Sequence, residues 1–292
     1  MFFSTLSNRA KLLVRSIHFK PIIRVNHYSE CKIWFHHLCE IIFDVPDKDE
    51  RESMTPCRLR IIDEPRFFLY IRKPGYGLRE WLRHFMFIFN QPMVDVYFGP
   101  RRERKCTAEW LYKLLKGFRI REMTVRESAC EVLRLLPIMD YLYIDKYYSE
   151  PQVPEGDVNY IKKLLIGNIP RVNMNRIMTL DLNTLLMMNS PRISSWRPSL
   201  TDKELNMFFK LWLKGSNSKF RWLGLTYTDH QDRGITRNFN VNVILEGIKY
   251  EVKIDEDAAY LKTRYCIRKS DGTLAMIRFD SSDIYLIVNV HQ

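Results

Sequence analysis

Apolar residues fall at helical spacing most clearly between positions 201 and 214. Leu205, Phe208, Phe209 and Trp212 recur at intervals of three and four, which puts them on one face of an α-helix. The start of that helix is marked as well. Thr201 followed by Glu204 makes a capping box, in which each side chain satisfies a backbone N–H of the first turn, and Leu200 with Leu205 occupies the two positions of a hydrophobic staple. Gly215 is the stop, because glycine takes the left-handed conformation without a Cβ penalty. Phe220-Arg221-Trp222-Leu223-Gly224-Leu225-Thr226 then reads as a buried strand.

The same order of parts occurs twice upstream. Residues 107–116 carry Trp110, Leu111, Leu114 and Leu115 at helical spacing, then Gly117, then a strand-like run over 118–125. Residues 157–166 carry Tyr160, Ile161, Leu164 and Leu165, then Gly167, then a strand-like run over 176–182. Between them, 128–136 has helical character, Pro137 stops it, and 141–144 alternates as a strand. Helix, stop and strand repeated along a chain predict parallel strands joined by helical crossovers. The fold class expected is α/β, a leucine-rich-repeat-like curved parallel sheet in which each unit buries its face against the next. A closed doubly wound sheet is the alternative, without a Gly-rich nucleotide turn to support it.

The ends differ from this middle. Residues 239–245 alternate and are expected to pair with 248–252 across Glu246-Gly247. Residues 265–268 are expected to meet 274–277 across Ser270-Asp271-Gly272-Thr273, where Asp-Gly is a strong hairpin signal. A last strand is expected over 284–290, so the carboxyl end reads as antiparallel β-hairpins. Gly75-Tyr76-Gly77 after Pro74 reads as a turn. Residues 44–52 are charged, with Pro46 among them, and read as a linker; 58–71 is strand-like.

Composition narrows the classes. The 292 residues are 46% hydrophobic and 13% aromatic, ample to build a core. The longest stretch free of Asp, Glu, Lys and Arg is the 11 residues of 84–94, against the ~20 a helix needs to cross a bilayer; no membrane partner is expected. The six cysteines are irregularly spaced, and Arg9, Lys11 and Arg15 interrupt any secretory leader, so a reducing compartment, cytoplasmic or nuclear, is expected. Residues 1–29 contain no Asp or Glu, which also fits a mitochondrial transit peptide.

Candidate chemistry is sparse. His27, Cys31, His36, His37 and Cys39 lie close in sequence and are the one group that suggests zinc. No cysteine pair there has the gap of a zinc knuckle, and adjacent His36 and His37 on a strand point to opposite faces. The chain has no Gly-x-Ser-x-Gly elbow, P-loop, His-Glu-x-x-His helix or Gly-x-Gly-x-x-Gly turn. No catalytic, cofactor-binding or metal residue is assigned, no cofactor is expected, and the reading is a non-enzymatic protein. A net charge of +12, from 46 Lys+Arg against 34 Asp+Glu, raises nucleic acid as a partner. Arg101-Arg102-Glu103-Arg104-Lys105 is the densest cluster. The basic residues are otherwise spread along the whole chain, and the aromatics sit at core spacings and do not interleave with a basic stripe.

Residues 182–227 carry a more specific signal. Leu185-Leu186-Met187-Met188-Asn189-Ser190 leads to Leu200-Thr201-Asp202-Lys203-Glu204-Leu205-Asn206 and then to Trp212-Leu213-Lys214-Gly215-Ser216-Asn217-Ser218. This pattern resembles the type 2 F-box-associated domain of the large nematode F-box families. Arg268 with Asp271-Gly272 and Ala275-Met276-Ile277 resembles the ending such proteins show, and residues 50–180 match more loosely. Ser7-Asn8-Arg9-Ala10-Lys11 and Leu12-Leu13-Val14 are similar to the late part of an F-box, whose Leu-Pro opening and first helix are missing; this accounts for the acid-poor amino end through particular residues.

The resemblance implies a division into a small helical partial F-box remnant (1–45), an α/β repeat region (46–181) and a type 2 F-box-associated domain (182–292). It implies a protein-binding module like the substrate-recognition subunit of a Skp–cullin–F-box ubiquitin ligase. A protein substrate is the partner implied. A Skp-type linker protein is a second one, whose contact the shortened F-box puts in question. The other readings are a basic nucleic-acid-binding module and an orphan scaffold that has lost ligase assembly. Leu205, Phe208, Trp212 and Gly215 are core and stop positions on this reading, and the binding residues are unassigned.

Overall fold

The computed structural model describes residues 23–27, 31–35, 39–43, 57–61, 64–71, 75–99, 107–126, 130–136, 138–145, 155–175, 178–227, 237–255 and 262–288. Contacts divide the chain into two compact units, 1–140 and 141–292.

The first unit holds strands β1 (Ile23–His27), β2 (Cys31–Phe35), β3 (Cys39–Phe43), β4 (Cys57–Ile61), β5 (Glu64–Ile71), β6 (Met93–Phe98) and β7 (Arg119–Arg126), in the order β7-β6-β1-β2-β3-β4-β5. β7, β6 and β1 run parallel to one another, and β1 through β5 form an antiparallel meander. Helix α1 (Leu78–Ile88) buries Leu78, Trp81, Leu82, Phe85 and Ile88. It follows the turn expected at Gly75, whose φ is +75°. Helix α2 (Ala108–Leu115) begins on Thr107, whose hydroxyl accepts from the Trp110 N–H, and ends at Gly117 with φ +85°, as its spacing predicts. The Arg79 guanidinium lies over the Phe118 ring and donates to the carbonyls of Lys113, Leu114 and Lys116, taking up groups the end of α2 leaves unbonded. A short helix α3 (Cys130–Leu135) follows β7.

The second unit begins with β8 (Tyr141–Asp145), β9 (Arg171–Asn175), β10 (Arg192–Trp196) and β11 (Trp222–Thr226). β8, β9, β10 and β11 lie side by side, and the pairs β8–β9, β9–β10 and β10–β11 are all parallel. Between them run α4 (Glu155–Ile166), α5 (Leu182–Met187) and α6 (Asp202–Leu213). Consecutive strands that always step in one direction, with right-handed crossovers, put every connecting helix on the same face of the sheet. That is singly wound topology, which sets aside the doubly wound alternative. Leu142, Ile144, Val172, Met174, Ile193, Leu223 and Leu225 are buried on one side of the sheet, and Ile161, Leu165, Leu185, Leu205, Phe208, Phe209 and Trp212 are buried on the helices. The sheet continues antiparallel through β15 (Asp283–Val288), β14 (Leu274–Asp280), β13 (Lys262–Arg268) and β12 (Tyr250–Asp255).

The helical character expected of 1–45 is corrected, since its described residues form the strands β1, β2 and β3 of an antiparallel meander, and so are two expected strands. The strand after α4 is Arg171–Asn175, upstream of the run expected; of that run 176–177 lie outside the described residues, 178–181 are not a strand, and α5 starts at Leu182 with the Asp181 carboxylate accepting from the Thr184 N–H at 2.7 Å. Asp181 is an N-cap, and this local bond outweighs the β-like spacing before it. The run 239–245 does not pair with 248–252. It forms a short helix α7 (Val241–Ile244), capped by Asn240, with Ile244, Leu245 and Ile248 buried at helical intervals, while β12 pairs with β13. The hairpin from β13 to β14 stands as expected, Arg268 opposite Leu274 and Gly272 at φ +87°.

The family-like motif resolves into scaffold parts. The Thr201–Glu204 box is formed in both directions, and Gly215 closes α6 at φ +103°. The asparagines of the motif bind carbonyls at other helix ends: Asn189 to Ile166 at 2.8 Å, Asn217 to Met188 at 3.0 Å, and Asn206 to Ile244 and Glu246 at 2.9 Å each. Each satisfies an acceptor that a helix carboxyl end leaves open. The motif therefore fixes how α4, α5, α6 and α7 are seated.

Candidate protein-recognition face

A parallel sheet ordinarily has helices on both faces. Singly wound strands leave one face of β8–β11 without them, and the register places its residues in rows. Tyr141, Arg171, Arg192, Trp222, Ile287, Met276 and Cys266 follow one another across neighbouring strands. Tyr143, Asn173, Ser194, Gly224, Tyr285, Arg278 and Arg264 form the next row. Asp145, Asn175, Trp196, Thr226, Asp283 and Asp280 form the third.

Aromatic rings and guanidinium groups organise this face. The Arg171 guanidinium carbon lies 4.5 Å from the Tyr141 ring centroid, and that of Arg278 lies 4.7 Å from Tyr285. Trp222 and Tyr285 stand 6.3 Å apart. Trp222 reaches across its own strand to Gly224, where an added Cβ would come within 2.3 Å of the indole. Glycine there leaves the space in which the ring lies. Tyr285 donates to Asp283 at 3.1 Å, and burial together with that carboxylate pushes its phenol up from the ordinary value. At the carboxyl ends of the strands the Asn175 amide donates to the buried Asp145 at 2.7 Å.

Charge is unevenly placed around the face. Residues 166–172, 188–193 and 214–222, which lead into β9, β10 and β11, contain Arg171, Arg192, Lys214, Lys219 and Arg221 and no Asp or Glu. All five of these cations are exposed. Near the opposite ends of these strands a second cluster closes the sheet. Arg237 donates to the Leu200 carbonyl at 2.6 Å and to Asp202 at 2.7 Å, between the rings of Tyr227 and Phe239 at 4.0 and 5.2 Å. Burial raises the Tyr227 phenol far above its usual range despite the cation beside it.

The first unit shows a different arrangement. A bulge between Val94 and Asp95 turns both Arg121 and Glu122 of β7 to one side. Arg121 grips the buried Asp95 carboxylate with bonds of 2.8 and 2.6 Å, and these bonds hold its guanidinium above the ordinary value. Arg24 stands 3.9 Å from Asp95 and 3.7 Å from Glu122.

The zinc group is not assembled by the register. His27 lies opposite Cys31, but Cys31 lies opposite Phe43 and Cys39 opposite Phe35. The two cysteines are thus at opposite ends of the β2–β3 pair, about 13 Å apart along the strands at ~3.3 Å per residue. Among the described residues no group of His, Cys, Asp and Glu could hold a metal ion, and no helix is long and apolar enough to cross a membrane. His36, His37, the cluster 101–105, the linker 44–52, Pro137 and the F-box-like segment 7–14 lie outside the described residues. The face itself was missed by periodicity. Its signal is the repetition of Pro170-Arg171-Val172 and Pro191-Arg192-Ile193, a proline and an arginine opening successive strands.

Comparison with known proteins agrees with the motif. Residues 160–225, which span α4 to β11, match the family described as F-box associated. The chain is also similar to the F-box associated domain-containing protein sdz-33 of Caenorhabditis elegans, 24% identical over 237 residues that cover 80% of this chain and 70% of the relative. No solved structure matches.

Proposed function

We propose that this chain is a non-enzymatic substrate-recognition protein, similar to the subunit that holds the target in a Skp–cullin–F-box ubiquitin ligase, working in the cytoplasm or nucleus. One observation carries the reading: the helix-free face of β8–β11 and β15 brings Tyr141, Arg171, Arg192, Trp222 and Tyr285 into adjoining rows. Trp, Tyr and Arg are the residues that dominate binding energy at protein interfaces. The family match at 160–225 supports it, because that segment builds three of the four parallel strands.

The partner that suits this face is a protein segment rich in Asp and Glu. A guanidinium stacked on a ring keeps its N–H edge for a carboxylate, and the turns entering β9, β10 and β11 supply five cations without an acid. Nucleic acid is the weaker fit, because Tyr141 and Tyr285 each have a ring face taken by an arginine and a stacked base needs that face. A leucine-rich-repeat-like curvature belongs to the proposal, as does the division into a partial F-box remnant (1–45), an α/β repeat region (46–181) and a type 2 F-box-associated domain (182–292), with the recognition face drawing Tyr141 and Arg171 from the second and Arg192, Trp222 and Tyr285 from the third.

Co-expression of the full chain with a Skp-type linker protein tests the ligase half of the reading. Co-purification at equal stoichiometry would mean that the shortened F-box suffices and would support the adaptor reading. Without it the chain is a recognition scaffold outside the ligase, and the adaptor reading falls.

A further inference from the structure

The sheet of the second unit ends on β12, beyond which no strand lies among the described residues. An edge strand offers unpaired backbone N–H and C=O groups, and proteins commonly blunt such edges with proline, bulges or charges set into the apolar side. β12 has none of these on its apolar side. Tyr250, Val252 and Ile254 alternate along one face and are 44%, 56% and 62% exposed. Glu251 and Lys253 are exposed on the other face.

The run Tyr-Glu-Val-Lys-Ile over 250–254 is complementary to its own reverse. Laid antiparallel on a second copy with Val252 opposite Val252, Tyr250 meets Ile254 twice on one face and Glu251 meets Lys253 twice on the other. A shift by one residue sets Val252 against Lys253 and Glu251 against Ile254, so the pattern specifies a single register. In the β12–β13 register neither charge stands directly opposite an opposite charge. Lys253 faces Arg264, which itself faces Arg278, and Glu251 faces Cys266. A second copy would set its Glu251 opposite Lys253 at the outer end of that row, whose inner member Arg278 stands 3.7 Å from Asp280, and would give Glu251 its lysine.

We propose that β12 is a self-association edge, at which two copies of this chain join their sheets about a twofold axis through Val252. The contact is isologous, each residue meeting its reciprocal partner. A five-residue strand pair is small, so the dimer is reversible and forms with rising concentration. This inference is independent of the recognition face and stands or falls separately from it.

Sedimentation velocity on the full chain across a concentration series tests it. The wild-type chain is expected to pass from monomer to dimer. Glu251→Lys and Lys253→Glu each turn two attractive cross-strand contacts into two repulsive ones, and each is expected to weaken dimerisation about tenfold or more. An equal mixture of the two variants is expected to dimerise again, because each lysine of one chain then faces a glutamate of the other. That rescue also shows both variants to be folded. A wild-type chain that stays monomeric, a dimer indifferent to both substitutions, or a mixture no more dimeric than its components would each overturn the proposal.

Discussion

Both units have arginines bound to carboxylates and arginines laid on rings, such as Arg126 over Tyr97 at 5.3 Å in the first, but particular residues of their open faces are held in different ways. In the first, Arg121 is locked to the buried Asp95, Arg24 stands near Asp95 and Glu122, and Arg119 pairs with Asp140 at 3.2 Å. In the second, Arg237 is likewise bound to Asp202 and Arg278, over Tyr285, stands 3.7 Å from Asp280, but Arg171 lies on the Tyr141 ring, and neither Arg171 nor Arg192 has a carboxylate within ion-pair distance among the described residues. A matched carboxylate commits an arginine to the fold. An aromatic ring orients the side chain and leaves its charge for something that arrives later. Arg121 is committed to the fold in this sense, and Arg171 and Arg192 are not, which is what the proposed recognition role of their face requires.

That separation can be broken at several points. Both units rest on a helix-side core, so the largest loss should come from there. Trp212 is fully buried, and Trp212→Ala should cost ~3–5 kcal/mol in urea melts; a loss near zero would mean that the α6 core is not what supports the second sheet. Gly224→Ala should cost about 1–3 kcal/mol by driving the Trp222 indole from its place. In a Trp222→Ala background the same change should cost almost nothing, and the coupling in that cycle measures how firmly the ring is held on the open face.

Smaller effects test the arginines directly. Asp95→Ala should destabilise by about 1–2 kcal/mol, the bond to Arg121 being buried at the carboxylate and partly solvated at the guanidinium. Arg192→Ala should change stability by less than about 0.5 kcal/mol. Equal losses at the two sites would erase the distinction between the faces.

The smallest effect is at the α5 cap, which depends on charge. Burial works against the charged form of Asp181, but the bonds from the Thr184 N–H and hydroxyl and the nearby Lys162 outweigh it, and its pKa is lowered. A carboxyl with a depressed folded pKa stabilises fully above its unfolded pKa and loses that contribution as pH falls through the folded value. The stability difference between the wild-type chain and Asp181→Asn should therefore be constant above about pH 5 and shrink toward pH 2, from ~1 kcal/mol at most.

Much of the second unit was legible because its signals are local. Thr201, Glu204 and Gly215 act within a few residues of themselves, so the ends of α6 read correctly from spacing alone. Residues 239–245 misled because Val, Asn and Ile alternate there, while the deciding contacts come from Asn206, far away in sequence. Helix α1 was not read, because its apolar positions run on from Arg79, Glu80 and Arg83 into the charge-free stretch 84–94, which hides where the helix ends. The recognition face was hardest to see, since Trp222 and Tyr285, or Arg171 and Tyr141, become neighbours only through strand register. The motif that carries the family resemblance consists of helix caps and core residues, which explains why the resemblance left the binding residues unassigned.

The most direct test of the recognition face is selection of a displayed random peptide library on the full chain. It would run in parallel on the wild type, on Arg171→Glu with Arg192→Glu, and on Lys163→Glu with Lys203→Glu, two lysines exposed on α4 and α6. The account predicts that the wild type and the helix-side variant recover the same peptides rich in Asp and Glu, and that the face variant loses them. Recovery of those peptides by all three proteins, or of peptides with no enrichment in acidic residues, would contradict it.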